Sequence, residues 1–196
     1  MKEQKSLAKD ILFTTLVLVI IAVIAGGILG VVNHFTQIDE REVLNKKLAE
    51  IYPTDGGFTD NLYKDGVTSS DPRGGIIGVY RAEGKNAVVF HVLGNGAYKQ
   101  TIELMILIED YEIHNIMKYR AEETPGLGAE AFKEKHYKQY LNKDIREMQF
   151  VIKKGGKGNI DAVSGATKTS TAMNNCVSLA VEYYIANYNT LVGGAN

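Results

Sequence analysis

The stretch Asp161-Ala162-Val163-Ser164-Gly165-Ala166-Thr167-Lys168-Thr169-Ser170 predicts a tight polar loop that leads directly into a helix. Gly165 and Ala166 carry the smallest side chains, so a bulky group can approach the backbone there. The first N–H groups of a helix are unpaired and its N-terminal end is positive, which suits a phosphate. An ordinary helix cap explains the same residues, and from the chemistry alone it is the more frequent explanation. Apolar residues follow at helical spacing, at Ala172, Met173, Cys176, Val177, Leu179, Ala180, Tyr183 and Tyr184.

A second stretch, Glu123-Thr124-Pro125-Gly126-Leu127-Gly128, predicts a turn. Proline fixes φ and glycine accepts a positive φ, which are the two properties that a β-turn of this kind requires. Taken alone, an ordinary turn is sufficient to explain this stretch.

The first stretch resembles the flavinylation motif Asp-x-x-Ser-Gly-Ala-Thr-x-Thr-Ser of covalent FMN-binding domains. In that family the threonine after Gly-Ala is joined to the FMN phosphate as a phosphodiester, and this threonine corresponds to Thr167. The resemblance implies that a separate flavin transferase installs the FMN from FAD. It also implies that Asp161 serves recognition or metal binding during the transfer. The remaining implied cofactor-binding residues of this loop are Ser164, Gly165, Ala166, Lys168 and Thr169.

The second stretch resembles the Glu-Thr-Pro-Gly-Leu-Gly motif of the RnfG family and of the related C subunit of sodium-translocating NADH:quinone oxidoreductases. Both motifs in one chain, together with an N-terminal apolar span, identify it as RnfG-like over most of its length. The resemblance implies that Thr124, Pro125, Gly126 and Leu127 lie near the isoalloxazine ring. Leu127 would supply apolar surface and Thr124 a hydroxyl or backbone donor. Glu123 and Lys168 are the nearest charged candidates, although such side chains are more often solvated.

The N-terminal segment predicts a membrane anchor. No charged residue occurs from Ile11 to Asn33, and a membrane-spanning helix needs about 20 apolar residues. A cleaved signal peptide would have a shorter apolar region, so we predict an uncleaved transmembrane helix over residues 11–33. Gly26 and Gly30 have the Gly-x-x-x-Gly spacing that can seat a neighbouring helix, although glycine is common in membrane helices in any case.

The charges around the span indicate its orientation. Lys2, Lys5 and Lys9 precede it, whereas residues 34–42 carry only Arg41 beside three acidic residues. A count over 15 residues on each side gives a tie, but the closer residues favour a cytoplasmic N-terminus. The FMN domain would then lie on the extracytoplasmic side of the cell membrane, as the resemblance also implies.

The middle of the chain predicts a mostly antiparallel sheet with helices around it. A helix is predicted over residues 39–51, and irregular chain then reaches Gly75, with one short strand near Leu62 and Tyr63. Strands are predicted at 76–81, 87–93, 101–108 and 112–120, with turns at 82–86, 94–96 and 109–111. Beyond them we predict a helix at 129–141, a strand at 146–153 and a helix from the threonine loop to about Tyr188.

Composition narrows the possible functions. The formal net charge is −1 and the basic residues are spread out, so no nucleic-acid partner is indicated. The single cysteine, Cys176, is predicted to be a small core residue. The histidines His34, His91, His114 and His136 lack metal-ligand spacing, and we predict structural or surface roles for them. We assign no catalytic residue and no metal ligand.

These observations predict an α+β fold with one transmembrane helix followed by an FMN-binding domain. The predicted boundaries are 1–10 for a cytoplasmic N-terminus, 11–33 for the span, 34–75 for a juxtamembrane helix and irregular segment, 76–190 for the FMN-binding domain and 191–196 for a tail.

The predicted function is that of an electron-carrying flavoprotein subunit of a membrane-bound, ion-translocating ferredoxin:NAD oxidoreductase (Rnf) complex. It would be a redox subunit without a complete active site of its own, with the other Rnf subunits as partners. A C subunit of a sodium-translocating NADH:quinone oxidoreductase is an alternative, although those subunits are usually longer. A free-standing membrane-anchored flavoprotein is another. A membrane-anchored, non-redox binding or scaffolding domain is the alternative from a different class.

Overall fold

The computed structural model describes residues 2–36, 39–63 and 71–193. The helices are α1 (Lys2–Thr36), α2 (Glu40–Ile51), α3 (Glu134–Tyr137) and α4 (Thr167–Val192), with a 3-10 helix at Gly128–Phe132. The strands are β1 (Gly74–Arg81), β2 (Val88–Ala97), β3 (Gln100–Glu109) and β4 (Glu112–Arg120). The chain divides into two compact units between Leu44 and Asn45.

The first unit contains α1, whose residues Ile11–Val32 are long and apolar enough to cross a membrane. At a rise of 1.5 Å per residue these 22 residues extend about 33 Å, close to the thickness of a bilayer core. None of this segment is buried by other parts of the chain. The apolar helix predicted over residues 11–33 is thus observed as part of α1.

The second unit is built on an antiparallel sheet with strand order β1-β2-β3-β4. Phe90 in the middle of β2 lies opposite Val79 of β1 and Ile106 of β3, which sets the register of the sheet. Alternate residues point to opposite faces, so Phe90 and Val92 face the same side. This sheet, with helices packed on it, confirms the predicted α+β fold.

Helix α4 packs on the Phe90 face of the sheet and forms the main core with it. The Phe90 ring centroid lies 6.2 Å from those of both Tyr183 and Tyr184, in edge-to-face geometry. Cys176 is fully buried in this layer, and burial raises the pKa of its thiol. Its prediction as a core residue is confirmed.

The opposite face of the sheet is also buried in its centre, at Val89, Met105 and Leu107. The end of α2 contributes the buried Leu48 and Ile51. Directly after α2, the Tyr52 hydroxyl donates a hydrogen bond to Glu109 of β3 at 3.3 Å. The helix predicted over 39–51 is therefore present, and its last turn is tied to the sheet.

The turn predicted at Gly94-Asn95-Gly96 is wrong. These residues continue β2, and the chain reverses at Tyr98 and Lys99 instead. A Cβ atom at Gly94 would lie 2.5 Å from Cys176 Sγ and 2.7 Å from the Ala172 carbonyl oxygen, so this glycine permits the close approach of α4. Gly96 has φ +85° at a β-bulge in the pairing with β3.

The strand predicted at 146–153 is also wrong. The predicted alternation is seen only around Phe150, which is buried between two exposed neighbours. The end of the segment forms only isolated bridges, Ile152 with Ile160 and Lys154 with Lys157. Side-chain amides bind much of the remaining backbone. Asn159 accepts from the Val151 N–H at 2.8 Å and donates to the Gln149 carbonyl at 2.9 Å. Asn174 of α4 donates to the Phe150 carbonyl at 3.0 Å.

The single helix predicted at 129–141 is replaced by the 3-10 helix and the one-turn α3. Lys133 between them has an extended backbone, with φ −85° and ψ 148°. This break leaves Tyr140 fully buried with its ring centroid 5.3 Å from that of Phe150. Tertiary packing therefore overrides the helical periodicity of this segment.

Smaller corrections concern the ends of the domain. The strand predicted near Leu62 and Tyr63 is absent; Leu62 donates a single backbone hydrogen bond to Val79, and Phe58 forms an isolated bridge with Ala82. Part of the predicted irregular segment, residues 64–70, lies outside the described residues. Helix α4 has non-helical backbone angles at Asn187 (φ −120°, ψ 15°), next to its predicted end at about Tyr188, and a further helical segment then reaches Val192. The predicted tail therefore begins inside this last segment, and residues 194–196 are outside the described part.

Candidate functional site: a pocket between two glycine turns

The two sequence motifs meet at one pocket of about 480 Å³ near the start of α4. Its lining brings together most of the residues predicted for cofactor binding: Glu123, Thr124, Leu127, Gly165, Ala166, Thr167, Lys168 and Thr169. Two further lining residues, Tyr98 and Gly128, were not among the predicted ones.

Each motif folds as a tight turn with a glycine at its third position. The Leu127 N–H donates to the Thr124 carbonyl at 3.2 Å, and Gly126 has φ +77°, as a Pro-Gly type II turn requires. The Ala166 N–H likewise donates to the Val163 carbonyl at 2.9 Å, with Gly165 at φ +75°.

The two turns are in close contact with each other. A Cβ atom at Gly165 would lie 3.2 Å from Leu127 Cδ2, so the absence of a side chain allows the leucine to pack on this turn. Leu127 itself remains 47% exposed. It therefore presents an apolar surface at the pocket while its backbone belongs to the first turn.

Thr167 occupies the first position of α4 and is exposed. The preceding residue, Ala166, provides no side-chain hydrogen bond to cap the helix. Within residues 2–36, 39–63 and 71–193, the Thr167 hydroxyl has no hydrogen-bond partner. An exposed hydroxyl thus lies beside the unpaired N–H groups at the start of α4, where the positive end of a helix can stabilise a phosphate.

The other hydroxyls of this loop have different environments. Thr169 is fully buried and donates to Glu123 Oε2 at 3.0 Å. Ser170 is fully buried and accepts from the Val163 N–H at 3.0 Å. Ser164 is exposed, like Thr167, but lies outside the pocket. Among these hydroxyls, Thr167 therefore combines exposure with a place in the pocket lining.

Glu123 connects three segments around the pocket. Besides accepting from Thr169, its carboxylate accepts from the Lys99 backbone N–H at 3.3 Å, in the turn between β2 and β3. Gly128 lies directly against it, because a Cβ atom there would collide with Glu123 Oε2. The Glu123 carboxylate is thus half-buried and holds these segments together, instead of being a fully solvated charge. Lys168, in contrast, is exposed.

Three predicted residues lie elsewhere. Gly126, Asp161 and Ser164 line a second pocket of about 470 Å³, together with His136 and Gln139 among others. Asp161 is exposed and forms an ion pair with Lys153 at 2.9 Å.

Pro125, a fourth predicted residue, is exposed at the tip of its turn and lines neither of these pockets. Its fixed φ shapes the turn that presents Leu127.

Sequence reasoning missed Tyr98, whose side chain is 67% exposed at the pocket. The stretch Gly94-Asn95-Gly96-Ala97-Tyr98 was interpreted as an ordinary hairpin turn, without a ligand-binding role. The sequence did contain a signal for Tyr98: a large aromatic residue lies between the glycine-rich end of β2 and the polar start of β3.

Two of the histidines are buried. His91 Nε2 donates to Glu103 Oε2 at 2.9 Å, and burial lowers the pKa of His91 below the ordinary 6.5. Burial lowers the pKa of His136 in the same way. Among the residues that the structure describes, no group of three or more His, Cys, Asp or Glu could hold a metal ion. His114 is exposed, and the side chain of His34 is outside the described part.

The region that contains this pocket is similar to a known protein family. Residues 97–182 match the model of the FMN-binding domain. This part of the chain is therefore similar to FMN-binding domains. The matched range runs from the end of β2 into α4 and contains every residue that lines the 480 Å³ pocket.

Two curated relatives extend the similarity beyond the FMN-binding domain. The chain is 28% identical over 185 residues to the G subunit of the Na⁺-translocating ferredoxin:NAD⁺ oxidoreductase complex of Acetobacterium woodii, covering 86% of this chain and 89% of that protein. It is 33% identical over 106 residues to the G subunit of the proton-translocating ferredoxin:NAD⁺ oxidoreductase complex of Clostridium ljungdahlii, covering 53% and 57% respectively. The chain is therefore RnfG-like, as its two motifs predict.

Proposed function

We propose that this protein is an electron-carrying flavoprotein subunit of a membrane-bound ferredoxin:NAD oxidoreductase (Rnf) complex, with FMN joined through its phosphate to Thr167. The observation that carries the proposal is the exposed Thr167 hydroxyl at the uncapped start of α4, on the wall of a pocket that both motif turns line. The FMN-binding domain and the similarity to the G subunits of two such complexes support it.

Each part of the pocket has a separate task in this proposal. The N–H groups at the start of α4 and the Lys168 side chain stabilise the phosphate, because both present positive charge. Leu127 packs against the ring and Tyr98 offers an aromatic face at the rim. Bound FMN supplies the electron transfer, and the protein sets its orientation and surroundings.

A covalent linkage suits a carrier outside the cytoplasm. A cofactor attached to Thr167 cannot diffuse away, and its position relative to neighbouring redox centres is constant. In the proposed arrangement α1 anchors the protein in the cell membrane by a single pass, with a cytoplasmic N-terminus and an extracytoplasmic FMN domain. The partners are the other Rnf subunits and, during maturation, a flavin transferase that uses FAD.

The covalent attachment is tested by replacing Thr167 in the full-length protein, coexpressed with a flavin transferase. Intact mass and in-gel flavin fluorescence under denaturing conditions report the adduct. We expect one FMN on the wild type and none on Thr167→Val, because valine has no hydroxyl. Thr167→Ser keeps the hydroxyl and is expected to retain the adduct.

Thr171→Val is the matched control, since Thr171 is another exposed threonine one turn further along α4. It should carry the same FMN as the wild type. A flavin adduct on Thr167→Val would contradict the assignment of Thr167. No adduct on any variant, including the wild type, would favour the non-redox alternative, a membrane-anchored binding or scaffolding domain.

Membership of the complex is tested separately, by purifying the tagged protein from its native membranes. Co-purification of polytopic membrane subunits with a ferredoxin- and NAD-dependent activity supports the Rnf proposal. Isolation of a flavinylated protein alone, after mild solubilisation that keeps membrane complexes intact, would support a free-standing flavoprotein instead.

A further inference from the structure

Gln139, in the turn after α3, binds both backbone groups of Asp161 at the start of the threonine loop. Gln139 Oε1 accepts from the Asp161 N–H at 2.8 Å, and Gln139 Nε2 donates to the Asp161 carbonyl at 3.1 Å. One side-chain amide thus pairs with this residue as a neighbouring strand would. If the amide were turned over, its NH2 group would face the Asp161 N–H and its oxygen would face the Asp161 carbonyl. Both hydrogen bonds therefore require the observed orientation.

Gln139 is itself held in place by His136. Its Nε2 group lies 3.1 Å from both the His136 carbonyl oxygen and His136 Nδ1. His136 is only 5% exposed, and burial lowers its pKa, which favours the neutral ring. The two amide protons of Gln139 are shared among the Asp161 carbonyl, the His136 carbonyl and, in a neutral ring that carries no proton there, His136 Nδ1.

The segment that Gln139 anchors has no regular secondary structure between Asp161 and Ala166. Two other contacts order its second half, and both come from inside the motif: Ser170 binds the Val163 N–H, and Val163 binds the Ala166 N–H. Gln139 holds the first half from outside the motif, 22 residues earlier in the sequence. Ile160, directly before the loop, is bonded to the backbone of Val151 and Lys153, and Lys153 binds the Asp161 carboxylate. Gln139 adds the two hydrogen bonds that orient the Asp161 backbone, from which the loop continues to Thr167.

We propose that Gln139 is a positioning residue for the attachment of FMN to Thr167. This proposal rests on the proposed function. In the reaction, the Thr167 oxygen forms a bond to the FMN phosphorus of FAD, the bond between that phosphorus and the bridging oxygen breaks, and AMP leaves. The hydroxyl proton passes to a base of the transferase. Gln139 touches no reacting atom; it holds Asp161 so that the loop presents Thr167 in a single geometry.

The test measures the rate of flavin attachment to the full-length protein in detergent, with purified flavin transferase and FAD. Gln139→Leu keeps the approximate size and removes both hydrogen bonds to Asp161. We expect the maximal rate to fall at least about fivefold, roughly what the loss of one hydrogen bond corresponds to. The KM for FAD should stay unchanged, because FAD binds to the transferase. Gln149→Leu is the matched control, since Gln149 is exposed and its side chain makes no hydrogen bond to the described residues.

A purely structural role would lower the melting temperature of the unmodified protein, while the folded fraction would still react at the wild-type maximal rate. A wild-type rate for folded Gln139→Leu therefore overturns the proposal. If Gln139→Leu does not fold, Gln139→Glu decides, because it keeps the acceptor for the Asp161 N–H and loses the donor to the carbonyl. A wild-type rate for Gln139→Glu would likewise overturn it. Absence of flavin on the wild type contradicts the proposed function instead, so the two failures are distinguishable.

Discussion

Gly94 illustrates how one missing side chain determines the distance between α4 and the sheet. Its Cα faces Cys176 and the Ala172 carbonyl so closely that no Cβ fits. The residue lies inside a paired strand, where glycine is otherwise unfavourable. Packing therefore explains this glycine better than any turn does.

We expect Gly94→Ala to destabilise the domain by about 1–3 kcal/mol, because the added methyl group overpacks the core. Urea denaturation of the unmodified protein measures the change. The double variant Gly94→Ala/Cys176→Ala should recover only part of it relative to Cys176→Ala alone, since the sulfur is removed but the Ala172 carbonyl remains. Equal stability of Gly94→Ala and the wild type would show that α4 can move away at no cost.

The buried histidine His91 predicts how stability depends on pH. Its pKa is lowered mainly by burial, so the unfolded chain binds its proton more readily than the folded protein does. Stability should then decrease as the pH falls below about 6.5, the ordinary pKa of histidine. His136 contributes in the same direction.

This pH dependence is measured as the urea midpoint between pH 7 and pH 5. His91→Gln should weaken the dependence, because glutamine can still bind Glu103 but does not titrate. His114→Gln, at an exposed position, should leave it unchanged. An unaltered slope in His91→Gln would contradict the assignment.

At the scale of elements, the start of α4 depends on residues from two other segments. Glu123 ties it to the turn between β2 and β3, and Gln139 ties the preceding loop to the turn after α3. The helix end can thereby remain without a side-chain cap of its own. This leaves its N–H groups and Thr167 available for a ligand.

Replacing Glu123 should loosen this arrangement. Glu123→Ala leaves the fully buried Thr169 hydroxyl without its acceptor, at a cost of about 1–3 kcal/mol. We expect a lower urea midpoint and slower flavin attachment. Glu122→Ala removes the neighbouring exposed carboxylate and is the control. If both variants behave alike, the carboxylate of Glu123 does not tie these segments together.

At the scale of the whole molecule, the protein combines an apolar helix with an FMN-binding domain. In the described part of α1, a Cβ atom at Gly26, Gly27 or Gly30 would meet nothing within 4 Å. Gly26 and Gly30 share one face because they are four residues apart, and they leave a shallow groove along the helix. A helix of a partner subunit could pack closely there.

We therefore expect Gly26→Leu/Gly30→Leu to reduce assembly with membrane partners, measured as co-purification of the partner subunits after mild solubilisation. Gly27→Leu makes the same kind of change about 100° around the helix and should have a smaller effect. Flavin attachment should be normal in both, since the FMN domain is unchanged. Unaltered assembly of the double variant would exclude this packing face.

The local features of this protein could be predicted from its residues alone. The apolar span, the four main strands, α2, α4 and the two glycine turns follow from hydropathy, periodicity and φ preferences, each of which acts over a few neighbouring residues. The two motifs likewise identified the FMN-binding domain before any contact was known.

Which of these residues act together became evident from the folded domain. It separated the exposed Thr167 from the buried Thr169 and Ser170, and it made Glu123 a tie rather than a surface charge. It also brought Tyr98 to the pocket, joined Gln139 to Asp161 at the start of the loop, and assigned Gly94 to packing. Burial and hydrogen bonding join residues that are far apart in the chain, such as Glu123 and Thr169 at a separation of 46 positions, whereas sequence patterns report only on near neighbours.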